Sequence, residues 1–255
     1  MRERGDNYRA HREQGSPGVL GFDAEIVIDG RDLEEPCNYY LARIKTLKDT
    51  PNNATARPVV VVDPRAGHGP GIAGFKADSE IGVALANGLP CYFVGFLPDP
   101  LPGQTIDTIR RAETRFLEHV IELHPDADGL PFVIGNCQAG WAMMMVAAAT
   151  PNVVGPLLLA GSPLSYWSGQ RGINPMRYTG GLLGGSWLAA LTSALGGGKL
   201  DGAWLVQNFE NLNPSNTWFA KSYRLFSKID TERERFLKFE NWWGGHVSLN
   251  AEEIQ

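Results

Sequence analysis

The sequence predicts an α/β domain with a mostly parallel, doubly wound sheet, followed by a helical region. Residues 59–62 are four consecutive valines, and such a continuous β-branched run is typical of a strand buried on both faces of a parallel sheet. From this run to residue 160, strand-like and helix-like segments alternate, which favours a parallel sheet with ligands at the carboxyl ends of its strands. A chain of 255 residues can form one large domain of this kind.

The elements are predicted in chain order. Residues 1–20 are charged and lack periodicity, so we expect a tail or docking arm. Apolar residues alternate at positions 22, 24, 26 and 28, which predicts a half-exposed strand that pairs with an antiparallel strand over 38–45. The later predictions are strands at 59–62, 91–96, 132–134 and 156–160, with helices near 79–87, 106–123 and after 137.

The region after residue 169 has a different composition. Gly, Asn, Trp and Phe are frequent there, and the pattern predicts helices at 186–195, 201–211, 218–227 and 231–243, with another opening at 248–255. We interpret residues 170–255 as a helical lid over a cleft. The aromatic residues of the lid are typical of helix packing, although they could also line an acyl pocket.

Residues 131–150, PFVIGNCQAGWAMMMVAAAT, contain the strongest functional signal. A short apolar run ends at Gly135, Cys137 follows between small residues, and a helix-compatible segment begins at once. A nucleophile elbow requires this order of strand, sharp turn and helix, with small residues two positions on either side of the nucleophile. Gly135 and Ala139 occupy those positions.

Cys137 is therefore the candidate nucleophile. At a helix N-terminus the free N–H groups and the helix dipole favour a thiolate, and the backbone N–H of Gln138 would face a developing oxyanion. The competing interpretation is a small buried core cysteine, which is the usual role of an isolated cysteine.

The loop after Asp63, PRAGHGPGIAG at residues 64–74, has two interpretations. Its second half matches the dinucleotide fingerprint G-x-G-x-x-G, but the match starts five residues after the strand, and Pro70 removes one N–H from the phosphate cradle. Alternatively, residues 66–69 supply the second oxyanion N–H, from Gly67 or His68. We expect the backbone of His68, rather than its ring, to matter, because the base of such a site normally comes from the far end of the sheet.

Composition excludes several classes of partner. The net charge is −5 without a basic block, so nucleic acid is not an expected partner. Three scattered cysteines form neither a disulfide framework nor a metal knuckle, and we expect no metal and no cofactor. We also expect a cytoplasmic protein without a transmembrane segment, because no apolar run approaches about 18 residues and the charged start lacks a signal-peptide core.

Four blocks resemble one known family. They are DPRAGHGPG at 63–71, GNCQAGW at 135–141, GSPLSYW at 161–167 and FENWWGG at 239–245. The chain from about residue 22 onward resembles the DUF3141 family, in the poly(3-hydroxyalkanoate) synthase-like branch of the α/β-hydrolase fold. Polymer synthases carry a G-x-C-x-G box, and this chain has Ala139 at the last position.

The resemblance implies an α/β-hydrolase-like core at 21–169, with Cys137 attacking an acyl thioester or ester. It also implies a catalytic Asp and His after two further strands beyond the lid. Asp201, Asp230 and His246 occur in the formal order, but no strand-like run precedes the aspartates as required. We therefore expect an incomplete, inactive portion of a cysteine acyltransferase or hydrolase, prone to form homo-oligomers. The alternatives are a non-catalytic binding or assembly module, such as a polymer-granule protein, and a dinucleotide-binding protein.

Overall fold

A computed structural model describes residues 2–46, 50, 53–164 and 187–254. Its main sheet has six strands in the order β1-β2-β4-β3-β5-β6. The strands are β1 (Ala24–Asp29), β2 (Tyr39–Ile44), β3 (Val59–Val62), β4 (Cys91–Phe96), β5 (Phe132–Asn136) and β6 (Leu157–Ala160). β1 and β2 are antiparallel, β2 is antiparallel to β4, and β4, β3, β5 and β6 run parallel. The predicted α/β-hydrolase-like fold class is confirmed.

Nine α-helices lie in the described part of the chain. They are α1 (Arg2–Glu13), α2 (Glu80–Ala86), α3 (Ile106–Leu123), α4 (Gln138–Ala149), α5 (Trp187–Leu195), α6 (Ala203–Asn211), α7 (Lys221–Ser227), α8 (Ile229–Trp243) and α9 (Ala251–Ile254). A π-helical turn, Asn216–Ala220, precedes α7. The predicted spans of β4 and α3 agree with the structure at both ends.

The core forms two layers on opposite faces of the sheet. Because successive side chains of a strand point to opposite faces, the valines of β3 divide between the layers. Val60 and Val62 pack with the apolar faces of α3 and α4, whereas Val59 and Val61 pack with α2. All four valines are buried, as expected for a central strand with helices on both sides.

The first helix, α1, was not predicted. Its sequence is strongly polar, so it lacks the apolar period that identifies a surface helix. The helix packs on α8, and Arg4 forms an ion pair of 2.7 Å with the buried carboxylate of Glu240. Lys221 also pairs with Glu240. An ion pair thus connects α1 to α8, although the local sequence pattern did not predict a helix at α1.

Residues 187–254 contain two strands where helices were predicted. β7 (Lys199–Asp201) and β8 (Ser248–Asn250) form an antiparallel pair with Leu200 opposite Leu249. The predicted helical starts at residues 201 and 248 are therefore wrong. Each strand has three residues, which is too short for alternation to show, and their stabilisation comes from a partner distant in sequence.

The sheet ends at β6, which pairs only with β5 among the described strands. Residues 165–186 are outside the described residues. The block GSPLSYW at residues 161–167 lies partly in this range, and the predicted start of a helix at residue 186 lies within it. None of the helices in the described ranges has the length and hydropathy needed to cross a bilayer.

Candidate functional site

The turn between β5 and α4 places Cys137 in a strained backbone conformation. Its φ is 49° and its ψ is −116°, and a non-glycine residue with positive φ is uncommon outside special turns. The Cys137 N–H donates to the Ala160 carbonyl at 2.8 Å, which fixes the turn to the end of β6. The predicted strand, sharp turn and helix are therefore all present, and Cys137 is half-buried.

Small residues around the turn allow close backbone packing. A Cβ on Gly135 would lie 2.7 Å from Gly140 Cα, and one on Gly140 would overlap the Ser162 hydroxyl. Ala139 is buried under the turn. Gly135 and Ala139 were predicted, whereas the need for Gly140 was missed because it arises from contacts across the turn.

Cys137 opens onto a cavity of about 610 Å³ between the sheet edge and the helices α6 and α8. The loop after β3 forms one wall, and aromatic side chains of α6 and α8 form the roof. The lining residues are Pro64, Ala66, His68, Ile72, Ala73, Phe75, Lys76, Asp78, Ser79, Glu80, Asn136, Cys137, Ala160, Phe209, Trp242 and Trp243. Such a mostly apolar cleft with a few polar groups is typical of a site for a small organic ligand.

Gln138 connects the elbow to the loop after β3. As the first residue of α4, it has a backbone N–H without an acceptor inside the helix. Its side-chain oxygen accepts a hydrogen bond of 2.9 Å from the Arg65 N–H. The backbone N–H of Gln138 is therefore a donor next to Cys137. Its side chain holds the loop after β3, which was expected to supply the second oxyanion donor.

Gly67, one of the two expected oxyanion donors, lies against Gly202. Its φ is 100°. Its carbonyl accepts a 3.0 Å hydrogen bond from Val247 N–H. Gly67 thus contacts Gly202 and Val247, and its neighbours Ala66 and His68 line the cavity.

The ring of His68, for which no role was expected, packs against a tryptophan of α8. It is buried, it lines the Cys137 cavity, and its centroid lies 4.2 Å from that of Trp242. Its Nδ1 lies 3.1 Å from the Gly69 carbonyl oxygen. Burial lowers the pKa of His68 to about 4, which leaves the imidazole neutral near pH 7.

Asp63 shapes the glycine-rich loop. Its buried carboxyl accepts hydrogen bonds from the N–H groups of Gly71 (2.7 Å) and Ala73 (3.1 Å). Burial raises the pKa of Asp63 to about 7, against the lowering effect of these donors. A dinucleotide fingerprint would offer such N–H groups to a pyrophosphate, but here an internal side chain occupies them.

The formal set Asp201, Asp230 and His246 does not assemble at Cys137. His246 lines a separate cavity of about 540 Å³ that Cys137 does not border. Burial lowers the pKa of His246, and the nearby charge of Asp201 opposes this shift. Asp201 ends β7 and caps the following turn through the Ala203 N–H, whereas Asp230 is exposed near the start of α8.

Two further polar features of the site were missed. Asn136 Nδ2 donates to the Glu80 carboxylate at 2.6 Å, which places a carboxylate on the cavity wall next to the elbow. Arg65 is buried and pairs with Glu253 of α9 at 2.7 Å. The described residues contain no group of three or more His, Cys, Asp or Glu side chains suited to a metal ion.

Several solved structures are similar to this chain at low identity. Carboxylesterase CesB (YbfK) from Bacillus subtilis is 12% identical, with coverage of 100% of this chain and 72% of that chain and a TM-score of 0.43. Hypothetical protein PA2218 from Pseudomonas aeruginosa is 11% identical, with coverage of 71% and 56% and a TM-score of 0.45.

A curated relative is far more similar in sequence. The "Uncharacterized protein in ackA 5'region" of Rhizobium meliloti is 63% identical over 255 residues, which are 100% of this chain and 35% of that protein. The chain thus spans about a third of the length of this relative. The family match covers residues 1–255, and the chain belongs to DUF3141, a family described as proteins of unknown function.

Proposed function

We propose that this chain carries the nucleophile of an acyl hydrolase or acyltransferase that acts on esters or thioesters through Cys137. The observation that carries the proposal is the strained conformation of Cys137 between β5 and α4, at the edge of a 610 Å³ cavity. Strain of this kind is concentrated at functional sites, because the surrounding fold has to maintain it. A buried structural cysteine would not need it.

In the proposed reaction, the Cys137 sulfur attacks the acyl carbonyl carbon, and the carbonyl π electrons move to oxygen. The Gln138 N–H and an N–H from the loop at Gly67 or His68 would stabilise that oxyanion. Collapse of the tetrahedral intermediate expels the alcohol or thiol, which takes up a proton, and leaves an acyl thioester on Cys137. Water then completes hydrolysis, or a second hydroxyl group completes transfer.

The apolar wall indicates where the acyl group would lie. Phe209, Trp242 and Trp243 line the cavity on the lid side, and aromatic side chains offer large apolar surfaces to an acyl chain. We propose that residues 21–169 supply the chemistry and residues 170–255 form the lid that bounds the acyl site. Repeated transfer of the acyl group to a hydroxyacyl acceptor would make the protein polyhydroxyalkanoate synthase-like. We also propose a cytoplasmic location, because three free thiols suit a reducing compartment.

Acyl-enzyme formation tests the proposal directly. The chain is incubated with p-nitrophenyl esters and with acyl thioesters of several chain lengths, and the adduct is located by peptide mass spectrometry. We expect one acyl group on Cys137, lost in Cys137→Ala and retained in the matched control Cys91→Ala. Adducts on Cys91 or Cys37, or none with any ester or thioester, would contradict the proposal and favour a non-catalytic binding module.

A further inference from the structure

A second cavity, of about 530 Å³, adjoins the cavity that Cys137 lines. This α7–α8 cavity lies between the loop after β3, the end of α6 and the helices α7 and α8. We propose that it binds a phosphate group, and that the ester or thioester attacked by Cys137 carries this group. The inference rests on the proposed function and adds a substrate class to it.

The two cavities share a wall. Five residues line both of them: Ile72, Phe75, Lys76, Phe209 and Trp243. Trp243 is held in this wall by a hydrogen bond of 3.0 Å from its Nε1 to the Glu210 carboxylate. A ligand that extends past these side chains would therefore place its acyl carbonyl at Cys137 and its other end in the α7–α8 cavity.

The helical segment from the π-helical turn through α7 turns its polar side to the α7–α8 cavity. Four of its five cavity-lining side chains are polar or charged: Asn216, Thr217, Lys221 and Arg224, with Leu225 as the fifth. The aromatic side chains of the segment are exposed instead: Trp218, Phe219, Tyr223 and Phe226. A surface helix normally buries its apolar side. The inverted arrangement brings donors and positive charge to the cavity, where a polar ligand would satisfy them.

Positive charge is in excess on the walls of the α7–α8 cavity. Four cationic side chains and two carboxylates line it: Lys76, Lys221, Arg224, Arg235, Glu210 and Glu232. The whole chain, in contrast, has a net charge of −5. A phosphate monoester carries about −1.5 to −2 charges at neutral pH. The excess of two positive charges therefore matches a phosphate better than it matches a single carboxylate.

Two of the four cations have partners. Arg235 pairs with Glu232, and Lys221 pairs with Glu240. Glu240 also pairs with Arg4 at 2.7 Å, so this carboxylate is shared by two cations and does not remove the excess of positive charge.

The other two cations, Lys76 and Arg224, are available to a ligand. Within the part of the chain that the structure describes, neither side chain has a hydrogen bond or an ion pair. The guanidinium of Arg224 offers forked N–H groups that match phosphate oxygens. Lys76 lines both cavities and adds a point charge at the shared wall. These two side chains are therefore the assigned phosphate contacts.

Binding of phenyl phosphate tests the site without any ester. Calorimetric titration at low ionic strength gives the dissociation constant, with phenol as the uncharged control. We expect saturable binding of phenyl phosphate that weakens as salt is added, because salt screens the cations. Arg224→Gln and Lys76→Gln should each weaken it by at least about 10-fold. Lys228→Gln removes the same charge from an exposed position outside the cavity and should bind like the wild type.

Acylation of Cys137 tests the substrate class. Butyryl thioesters are compared whose thiol part ends in a phosphate or in a hydroxyl group, with flexible spacers of several lengths. Mass spectrometry measures the rate at which each one acylates Cys137. We expect the phosphorylated thioester to react at least about 10-fold faster at the best spacer length, because binding of the remote phosphate positions the carbonyl. This advantage should disappear in Arg224→Gln and persist in Lys228→Gln.

Absence of phenyl phosphate binding, or equal affinities in the wild type, Arg224→Gln and Lys76→Gln, would overturn the phosphate site. Saturable binding without faster acylation by the phosphorylated thioester would overturn the substrate class and assign the cavity to a free phosphate ester. If no thioester acylates Cys137 while phenyl phosphate binds as expected, the proposed function and its substrate class fail, and the phosphate site stands.

Discussion

Arg65 at the cavity loop forms an ion pair with Glu253 of α9, with 2.7 Å between Nη1 and Oε1. The two side chains are 2% and 3% exposed and are separated by 188 positions in sequence. Arg65 also donates to the Ser248 carbonyl at 2.8 Å, and Glu253 accepts from Gln104 and from the Asn250 N–H. A buried polar network therefore connects the last described residues to the loop after β3.

Neutralising one side of this pair should destabilise the fold. Glu253→Gln leaves the Arg65 guanidinium buried without a counter-charge, which costs about 3–5 kcal/mol. The matched control is Glu252→Gln, because Glu252 is exposed one position earlier and should change stability by less than about 0.5 kcal/mol. Urea unfolding measures both variants, and equal midpoints would show that the pair contributes little.

Glu113 should make stability depend on pH. Its carboxyl is buried in α3, and burial raises its pKa to about 8 from an ordinary value of 4.5. Because the folded pKa is the higher one, the stabilisation is fully present below pH 4.5 and is lost as pH rises through 8.

Between pH 6 and pH 8.5 the wild type should lose about 2–3 kcal/mol relative to Glu113→Gln. Urea unfolding at the two pH values measures this difference. Glu118→Gln, at a partly exposed position of the same helix, should retain the wild-type pH dependence. If the unfolding free energies of the wild type and Glu113→Gln changed equally with pH, the raised pKa of Glu113 would be contradicted.

Gly140→Ala should disturb the elbow. The added Cβ would overlap the Ser162 hydroxyl and would lie 3.0 Å from the Gly135 carbonyl oxygen. We expect a loss of about 1–3 kcal/mol from overpacking and slower modification of Cys137. Gly5→Ala is the control, since nothing lies within 4 Å of its Cβ position in α1, and it should stabilise by roughly 0.5–1 kcal/mol. Similar melting temperatures for the two variants would refute the packing argument.

Dinucleotides should not bind the loop after β3, because Asp63 occupies the Gly71 and Ala73 N–H groups. Titration with NAD, NADP or FAD is expected to leave the melting temperature unchanged. A ligand at 100 times its dissociation constant would stabilise the protein by roughly 2.7 kcal/mol. A saturable shift of that size would restore the dinucleotide interpretation.

Two apolar surfaces should promote self-association. Phe219 in the π-helical turn and Tyr223 and Phe226 in α7 are 75%, 73% and 83% exposed. Leu158 is exposed on β6, which lies at the edge of the sheet that the described strands form. Light scattering should show concentration-dependent association that falls in the triple serine variant of the aromatic residues and in Leu158→Lys. A monodisperse wild-type monomer would contradict this expectation.

Local pattern was sufficient for the sheet and for the elbow. β3 could be located because four consecutive valines are typical of a buried strand. α3 could be located because its apolar residues recur with a helical period over 18 residues. The turn at Cys137 was predictable since its requirements, Gly135, Ala139 and a following helix, lie within a few positions. Fold class and candidate nucleophile therefore followed from short-range information.

The remainder depends on contacts between distant positions. The β7–β8 pair joins residues near 200 to residues near 250, and the ring of His68 acquires its environment from Trp242 and Trp243. Neither the buried charge of Arg65 nor the contact of Gly67 with Gly202 leaves a periodic signature in the sequence. Such features become visible only when the chain is folded.

The roof of the Cys137 cavity is made of residues that the ribosome adds long after the elbow. Trp242 and Trp243 follow Cys137 by more than a hundred positions, and at synthesis rates of 5–20 residues per second this delay is roughly 5–20 s. During that time the sheet edge carries an uncovered thiol without the tryptophans that hold His68. The nascent chain therefore passes through an interval in which Cys137 is open to oxidants and electrophiles but lacks its assembled site.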